Sequence, residues 1–239
     1  MHKQTWSVII PCCNEKGTLE AVAQKVKSVL EQIASKYEII LIDDGSTDGS
    51  AELIDMLVKA DSCFRCIHHA VNKGLGTVLR EGYFAARFEN VISVPGDGQF
   101  DALEIIPYAV VPEKTFISFY RKENLTYSFF RNKLSLFNKL LNKALIGLDL
   151  KDVNWALIIK RKELESLNLE MKSTLIKSEI CAKMQLLGYQ AVEAESRYLP
   201  RVYGVSKGSS RKMVFQALSD IFTLAGCVRR FKKNRKRAA

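Results

Sequence analysis

Residues 37–50 read YEIILIDDGSTDGS. The run Tyr37–Ile42 is apolar or β-branched apart from Glu38, the pattern of a short strand buried on both faces. Asp43 and Asp44 close it, and two glycines, small hydroxyls and the turn dipeptide Asp48-Gly49 follow. A helical pattern starts at once, over 49–60. Strand, tight turn and helix make the first half of a βαβ unit. Turn chemistry explains Asp48-Gly49 but leaves Asp43-Asp44, two like charges at the mouth of a strand, in need of a reason.

The same alternation runs outward in both directions. Strands are predicted at 6–10 (WSVII), 64–68 (FRCIH), 91–94 (VISV), 115–119 (TFISF) and near 154–159. Helices are predicted at 18–34, 75–88, 128–146, near 175–187 and near 210–228. Doubly buried strands spaced by helices predict an α/β fold with a parallel, doubly wound sheet. In open sheets of this kind ligands lie beyond the carboxyl ends of the strands. Every unusual cluster falls there: Pro11-Cys12-Cys13-Asn14-Glu15, Asp43-Asp44 and Gly96-Asp97-Gly98-Gln99. Together they predict one acidic site on one sheet edge.

Carboxylates that share a crevice need neutral donors or a cation between them. A nucleoside diphosphate meets both needs, through base and ribose donors and through a metal carried by its phosphates. Asp97, with Gln99 beside it, suits Mg2+ or Mn2+, which favour oxygen ligands. At least one of Asp43 and Asp44 would then grip nucleoside hydroxyls or base. A hydride-transferring dinucleotide enzyme is disfavoured. It needs Gly-x-Gly-x-x-Gly after the first strand, and Gly74-Leu75-Gly76 is followed by Leu79 where the third glycine belongs.

The six cysteines are read as reduced thiols in or near the core, since only Cys63 and Cys66 have a motif spacing. His68 and His69 are strand neighbours that face opposite sides and cannot share one ion. The apolar runs, about six residues at the longest, fall far short of the ~20 that span a membrane. Pro11 interrupts the N-terminal run too early for a signal peptide, so a cytoplasmic protein is expected. The formal charge of +10 is a property of one end: from Pro200 to Ala239 there are 11 Lys and Arg against the single Asp220.

SVIIPCCNE, YEIILIDDGSTDGS, NKGLGTVLREG, GDGQFD and RVYGVSK, in that order, resemble the inverting family 2 glycosyltransferases. The closer likeness is to their polyprenyl-phosphate (dolichyl-phosphate mannose synthase-like) branch, over roughly residues 6–208. The resemblance implies a single-domain GT-A (Rossmann-like) nucleotide-sugar fold over 1–209, followed by an amphipathic helix and basic tail over 210–239. It implies transfer of a sugar from a GDP- or UDP-sugar donor. It places Pro11, Cys13, Glu15, Ile42 and Asp44 around the nucleoside, and Gly96, Asp97 and Gln99 at the metal and diphosphate. Arg121 would meet a donor or acceptor phosphate, and Arg201 with Lys207 would clamp phosphates. Placed cations also lower the cost of charge on a departing diphosphate, which is an independent reason for that pair. The chain departs from the pattern twice. Pro95 stands where the acidic metal motif has its first carboxylate, and Trp155-Ala156 replaces a common Ser-Gly pair.

Two acceptors remain open. A polyprenyl phosphate is already anionic and needs no base, whereas a glycan hydroxyl would need one, with Asp97 or Asp152 nearest to hand. A third reading, prompted by Pro95, is a nucleotide-binding chain without turnover. The tail favours lipid. Val214, Phe215, Leu218, Ile221, Phe222, Ala225 and Val228 draw an apolar stripe that runs into RRFKKNRKR, the composition of a membrane-surface anchor. The expectation is a peripheral protein on the cytoplasmic face of an anionic membrane. Nucleic acid is not expected, because no aromatics alternate with base-reading polar groups.

Overall fold

The computed structural model describes residues 3–121, 140, 143–201 and 211–238, with side chains of the last segment described over 219–237. Seven strands form one sheet in the order β3-β2-β1-β4-β6-β5-β7. They are β1 (Thr5–Cys12), β2 (Lys36–Asp44), β3 (Phe64–His69), β4 (Asn90–Ser93), β5 (Thr115–Arg121), β6 (Leu157–Lys160) and β7 (Gln190–Ser196). The helices are α1 (Lys16–Ile33), α2 (Ser50–Ala60), α3 (Leu75–Ala85), α4 (Arg161–Ser166), α5 (Ile176–Leu186) and α6 (Arg211–Ala238). A short 3-10 helix spans Ala102–Tyr108, and Asp101 caps it by accepting from the Leu103 amide.

Strand alternation builds two cores. Ile39 and Leu41 of β2 face α1 and α2, packing with Leu19, Val26, Leu30 and Ile54. Ile40 and Ile42 face the other way, toward Val78, Leu79 and Tyr83 of α3 and Ile176 and Ile180 of α5. The inner strands β1, β2, β4 and β6 are buried along most of their length because both faces are covered. The helices on the second face sit close: a Cβ on Gly82 would lie 2.6 Å from Ile9 Cγ2.

Six strands run parallel, and β6 alone is reversed, pairing antiparallel with both β4 and β5. The expected parallel sheet is therefore mostly but not wholly parallel. The reversal leaves the carboxyl ends of β1, β2, β3, β4, β5 and β7 on one edge, joined there by the residues that lead into β6. The chain leaves β1 in one direction for β2 and β3, then returns to its other side for β4, so the switch point lies between β1 and β4.

The C-terminal helix packs on the body. Ile221, Leu224, Cys227 and Val228 belong to the same core as α3 and α5. Arg230 reaches Glu170 at 2.6 Å. The apolar stripe, expected to face a membrane, is thus turned inward where its side chains are described, with Phe222 as the exposed exception. From Lys232 to Arg237 the helix is exposed and basic. Among the described residues no helix is long and apolar enough to cross a membrane. Most of the helix expected at 128–146 lies outside the described residues, as does Lys207.

Candidate active site

Backbone contacts bring the three acidic strand ends together. Cys12 is in register with Asp43 across β1 and β2, and the Gly96 amide donates to the Pro11 carbonyl at 3.2 Å. A Cβ on Gly96 would stand 2.8 Å from that same oxygen, so only glycine allows the approach. Asn14, at φ 59°, turns the chain out of β1 and into α1.

The loop after β2 is laced to this turn. The Asn14 amide donates to Ser46 Oγ at 2.9 Å, and Asn14 Oδ1 accepts from the Thr47 amide at 2.7 Å. Asp48 accepts from the Lys16 amide at the start of α1 and from the Ser50 amide at the start of α2, both at 3.0 Å. One carboxylate thereby serves two helix N-termini. Its burial works to raise the Asp48 pKa, but the bonds from Ser50 and Lys16 outweigh that and hold it below the usual carboxylate value.

Asp43 and Asp44 coexist because adjacent strand residues point to opposite faces and each finds its own donors. Asp43 accepts from the Ser46 amide at 3.1 Å and lies 3.5 Å from His68 Nδ1. Asp44 accepts from the Lys73 amide at 2.8 Å and the Gly74 amide at 2.9 Å, and meets His69 Nδ1 at 2.8 Å. The register pairs Asp43 with His68 and Asp44 with His69. Asn72 completes the join, donating to the Asp44 carbonyl and to Cys13 Sγ, both at 3.2 Å. Ile42 does not face the crevice with its side chain, which is fully buried in the core under α3. Any nucleoside contact there falls to its backbone.

At the switch point stands Arg201. Its guanidinium lies 2.7 Å from Asp97 Oδ2 and 3.1 Å from Glu15 Oε1. Local pairing puts it there: the Leu199 amide donates to the Gln99 carbonyl at 3.0 Å, and Phe100 bridges to Tyr198. Asp97 Oδ1 accepts from the Gln99 amide at 3.1 Å. The metal post is therefore one carboxylate with an amide beside it and an arginine on its outer oxygen. Among the described residues no grouping of three His, Cys, Asp or Glu ligands includes Asp97. Such a post fits Mg2+ or Mn2+ only if substrate phosphates supply further oxygens, which is how Mg2+ is commonly held.

Further along the edge, Arg121 donates to Asp152 at 2.7 Å and lies over Trp155 at 5.0 Å and Tyr198 at 5.7 Å. Trp155 is fixed from behind, its indole bound to Ser196 Oγ at 2.8 Å and its carbonyl accepting from Lys177. Burial pushes the Lys177 pKa down to about 8. A cavity of about 260 Å³ opens on the α1 side of the Asp97 loop, lined by Val22, Phe100 and Leu199 among others. Asp44, Arg121 and Arg201 are not among the residues that line it.

Sequence reasoning missed His69 and Glu81, which form an ion-paired group with Asp44. The sequence shows only that a histidine pair ends β3 as an aspartate pair ends β2; the register that sets them opposite comes from the structure.

The profile of the family described as "Glycosyl transferase family 2" matches residues 7–147. The undecaprenyl-phosphate 4-deoxy-4-formamido-L-arabinose transferase of Aeromonas hydrophila is 30% identical over 208 residues, 84% of this chain and 62% of that one. Its counterpart from Serratia proteamaculans is 27% identical over 221 residues, 91% of this chain and 66% of that one. The chain thus spans a little under two thirds of the length of these relatives. Among solved structures, glucosyl-3-phosphoglycerate synthase from Mycobacterium tuberculosis, in complex with Mn2+, UDP and glucosyl-3-phosphoglycerate, superposes with a TM-score of 0.69. That likeness, at 17% identity, covers 93% of this chain and 80% of the other, and concerns the fold. The matched segment begins in β1, takes in the acidic ends of β1, β2 and β4, and places this chain in glycosyl transferase family 2.

Proposed function

We propose that the protein moves a sugar, with inversion, from a nucleoside-diphosphate donor to a polyprenyl phosphate at a membrane surface. The observation that carries this reading is Arg201 held between Asp97 and Glu15 at the switch point, on the sheet edge where β2 ends in Asp44. A guanidinium there is set to take up charge as a diphosphate leaves. The names of the relatives, which act on undecaprenyl phosphate, support the same acceptor class.

Each group has one task in this scheme. Pro11, Cys13, Glu15, the Ile42 backbone and Asp44 shape the nucleoside subsite, and Gly96 lets the diphosphate approach the backbone. Asp97 and Gln99 would hold Mg2+ or Mn2+ together with diphosphate oxygens. That cation supplies charge neutralisation on the leaving group. Arg121, under Trp155 and Tyr198, faces the acceptor phosphate, and Lys207 joins Arg201 on the phosphates. The acceptor oxygen is anionic, so no side chain has to remove a proton. Residues 1–209 carry transfer, and the basic end of 210–239 meets anionic lipid on the cytoplasmic face.

A transferase using a glycan hydroxyl is the second reading. Its nearest candidate bases are both engaged, Asp152 by Arg121 at 2.7 Å and Asp97 by Arg201 at 2.7 Å. Radiolabelled sugar entering an organic-extractable, acid-labile lipid is the expected result. Label in a glycan would favour the hydroxyl acceptor. Nucleotide binding with neither transfer nor donor hydrolysis would favour a chain that binds without turnover.

A further inference from the structure

His69, at the carboxyl end of β3, is almost wholly buried, with its side chain 2% exposed. Its Nδ1 lies 2.8 Å from Asp44 Oδ1 and its Nε2 lies 2.7 Å from Glu81 Oε2. Ionised carboxylates accept hydrogen bonds and cannot donate them, so both ring nitrogens must carry protons. A neutral imidazole can satisfy only one side. The ring is an imidazolium between two anions from different elements, Asp44 on β2 and Glu81 on α3.

The Lys73 and Gly74 amides also donate to Asp44, one to each carboxylate oxygen. The group facing His69 from the loop is Lys73, whose Nζ lies 3.4 Å from Glu81 Oε1. Its charge acts against a second cation, so the two carboxylates have two cations to balance. Burial, the largest single influence, works to lower the His69 pKa, but the bonds to Asp44 and Glu81 overcome it and the net direction is upward.

The charge has a structural task. Asp44 is the acceptor that closes the Asn72–Gly74 loop onto the end of β2, and Asn72 in turn touches Cys13. Gly45 packs so tightly on this loop that a Cβ would lie 2.7 Å from the Asn72 amide nitrogen. Gly45 thus meets the loop backbone directly, and Asp44 holds the loop through the Lys73 and Gly74 amides. Removing the His69 proton would leave one ring nitrogen and one carboxylate oxygen as two facing acceptors in a buried place. That is costly enough to open the group.

We propose that His69 is a positioning residue for nucleotide binding: as an imidazolium bridging Asp44 and Glu81 it locks the Asn72–Gly74 loop against β2, and the donor nucleotide binds only the locked arrangement. The proposal rests on Asp44 lying in the nucleoside subsite. It goes beyond that reading by making donor affinity depend on a proton that touches neither sugar nor phosphate.

The test uses the full chain with UDP and GDP as probes. The sequence has only three histidines, so ring nitrogen NMR of labelled protein can follow each. One ring, absent in His69→Gln, is expected to stay doubly protonated well above the ordinary imidazole range. Glu81→Gln, at a half-buried surface position, should lower its titration without unfolding the protein. Calorimetry should show nucleotide affinity constant below that titration. Above it, affinity should fall by up to about tenfold per pH unit, as the competent fraction falls. In Glu81→Gln the fall should begin at lower pH, and in His69→Gln affinity should be weak and free of that step. An ordinary titration for the His69 ring would overturn the proposal, as would the same affinity profile in wild type and His69→Gln. If neither nucleotide binds at any pH, the nucleoside subsite itself is wrong and the proposal falls with it.

Discussion

Arg201 and Asp97 lie far apart in the chain, yet their side chains meet at 2.7 Å over the switch point of the sheet. The arginine proposed for the phosphates and the aspartate proposed for the metal are thus ion-paired with each other in the structure described. Entry of a diphosphate would exchange that partner for phosphate oxygens. With Pro95 in place of a second carboxylate, the proposed scheme asks Arg201 to supply part of the charge on the diphosphate. Arg201→Ala should therefore lower kcat by about 10²–10³-fold, the effect of losing one preorganised donor at a developing charge. Unchanged kcat, with the thermal midpoint unchanged, would remove Arg201 from the mechanism.

Metal dependence follows from the same pair. Transfer should need millimolar Mg2+ or Mn2+, and Asp97→Asn should be nearly inactive while remaining folded. Full activity in excess chelator would show that Arg201, with Lys207, neutralises the diphosphate unaided.

Asp48 gives a prediction about stability rather than turnover. It accepts from the amides of both Lys16 and Ser50, so Asp48→Ala should cost about 1–2 kcal/mol, the upper part of the range for one cap. Its folded pKa is depressed, so its contribution is present above the unfolded carboxylate value and is lost as pH falls through the folded one. Denaturant midpoints of wild type and Asp48→Ala should converge in acid. A constant gap would refute the double cap.

The His69–Glu81 contact has the opposite limit on one side. The His69 pKa is raised, so its contribution is full below the unfolded value, about 6.5, and disappears as pH rises through the folded one. The Glu81 pKa is lowered, first of all by the bond from His69, so its share is present above about 4.3 and is lost as pH falls through the folded value. The stability difference between wild type and His69→Gln should be greatest at pH of about 4.5–6.5 and shrink on both sides. Equal stability throughout would show that the ring contributes no net charge interaction.

The tail can be tested without disturbing the core. Lys232, Lys233, Lys236 and Arg237 are exposed, while Arg230 and Arg235 hold Glu170 and the Leu186 carbonyl. Replacing the four exposed residues by serine should release the protein from anionic vesicles and leave turnover of a soluble short-chain lipid phosphate intact. Salt should do the same to the wild type, because such contacts are screened within about 8–10 Å. Vesicle binding that persists in both conditions would shift the contact to Phe222 and its neighbours.

Much of this architecture could be read along the chain, and the exceptions have physical causes. Strands β1, β2, β4 and β5 were legible because burial on both faces makes them largely apolar. Strand β3, only partly buried at the sheet edge, was legible from its place in the alternation. Strand β7, QAVEAES, was not: it lies at the sheet edge, with four of its seven residues exposed, and carries no apolar run. The direction of β6 was equally hidden, since alternation records which face a residue takes and not which way the strand runs. At the site, the acidic strand ends were visible as clusters. The match of Asp44 to His69 was not, because it depends on the register between strands. The apolar stripe of α6 was read correctly as a stripe, but sequence does not distinguish a face turned to lipid from one turned to α5.

Strand β4 has only four residues, although it occupies the middle of the sheet. Its first neighbour, β1, precedes it in the chain, whereas its second, β6, is made much later. A chain made past Ser93 but short of Leu157 contains the residues of β3, β2, β1 and β4 and lacks the strand that covers the second side of β4. Open strand edges invite pairing between chains, and very short ones offer little to pair with. With four residues, β4 has little open edge to offer another chain before its partner β6 exists.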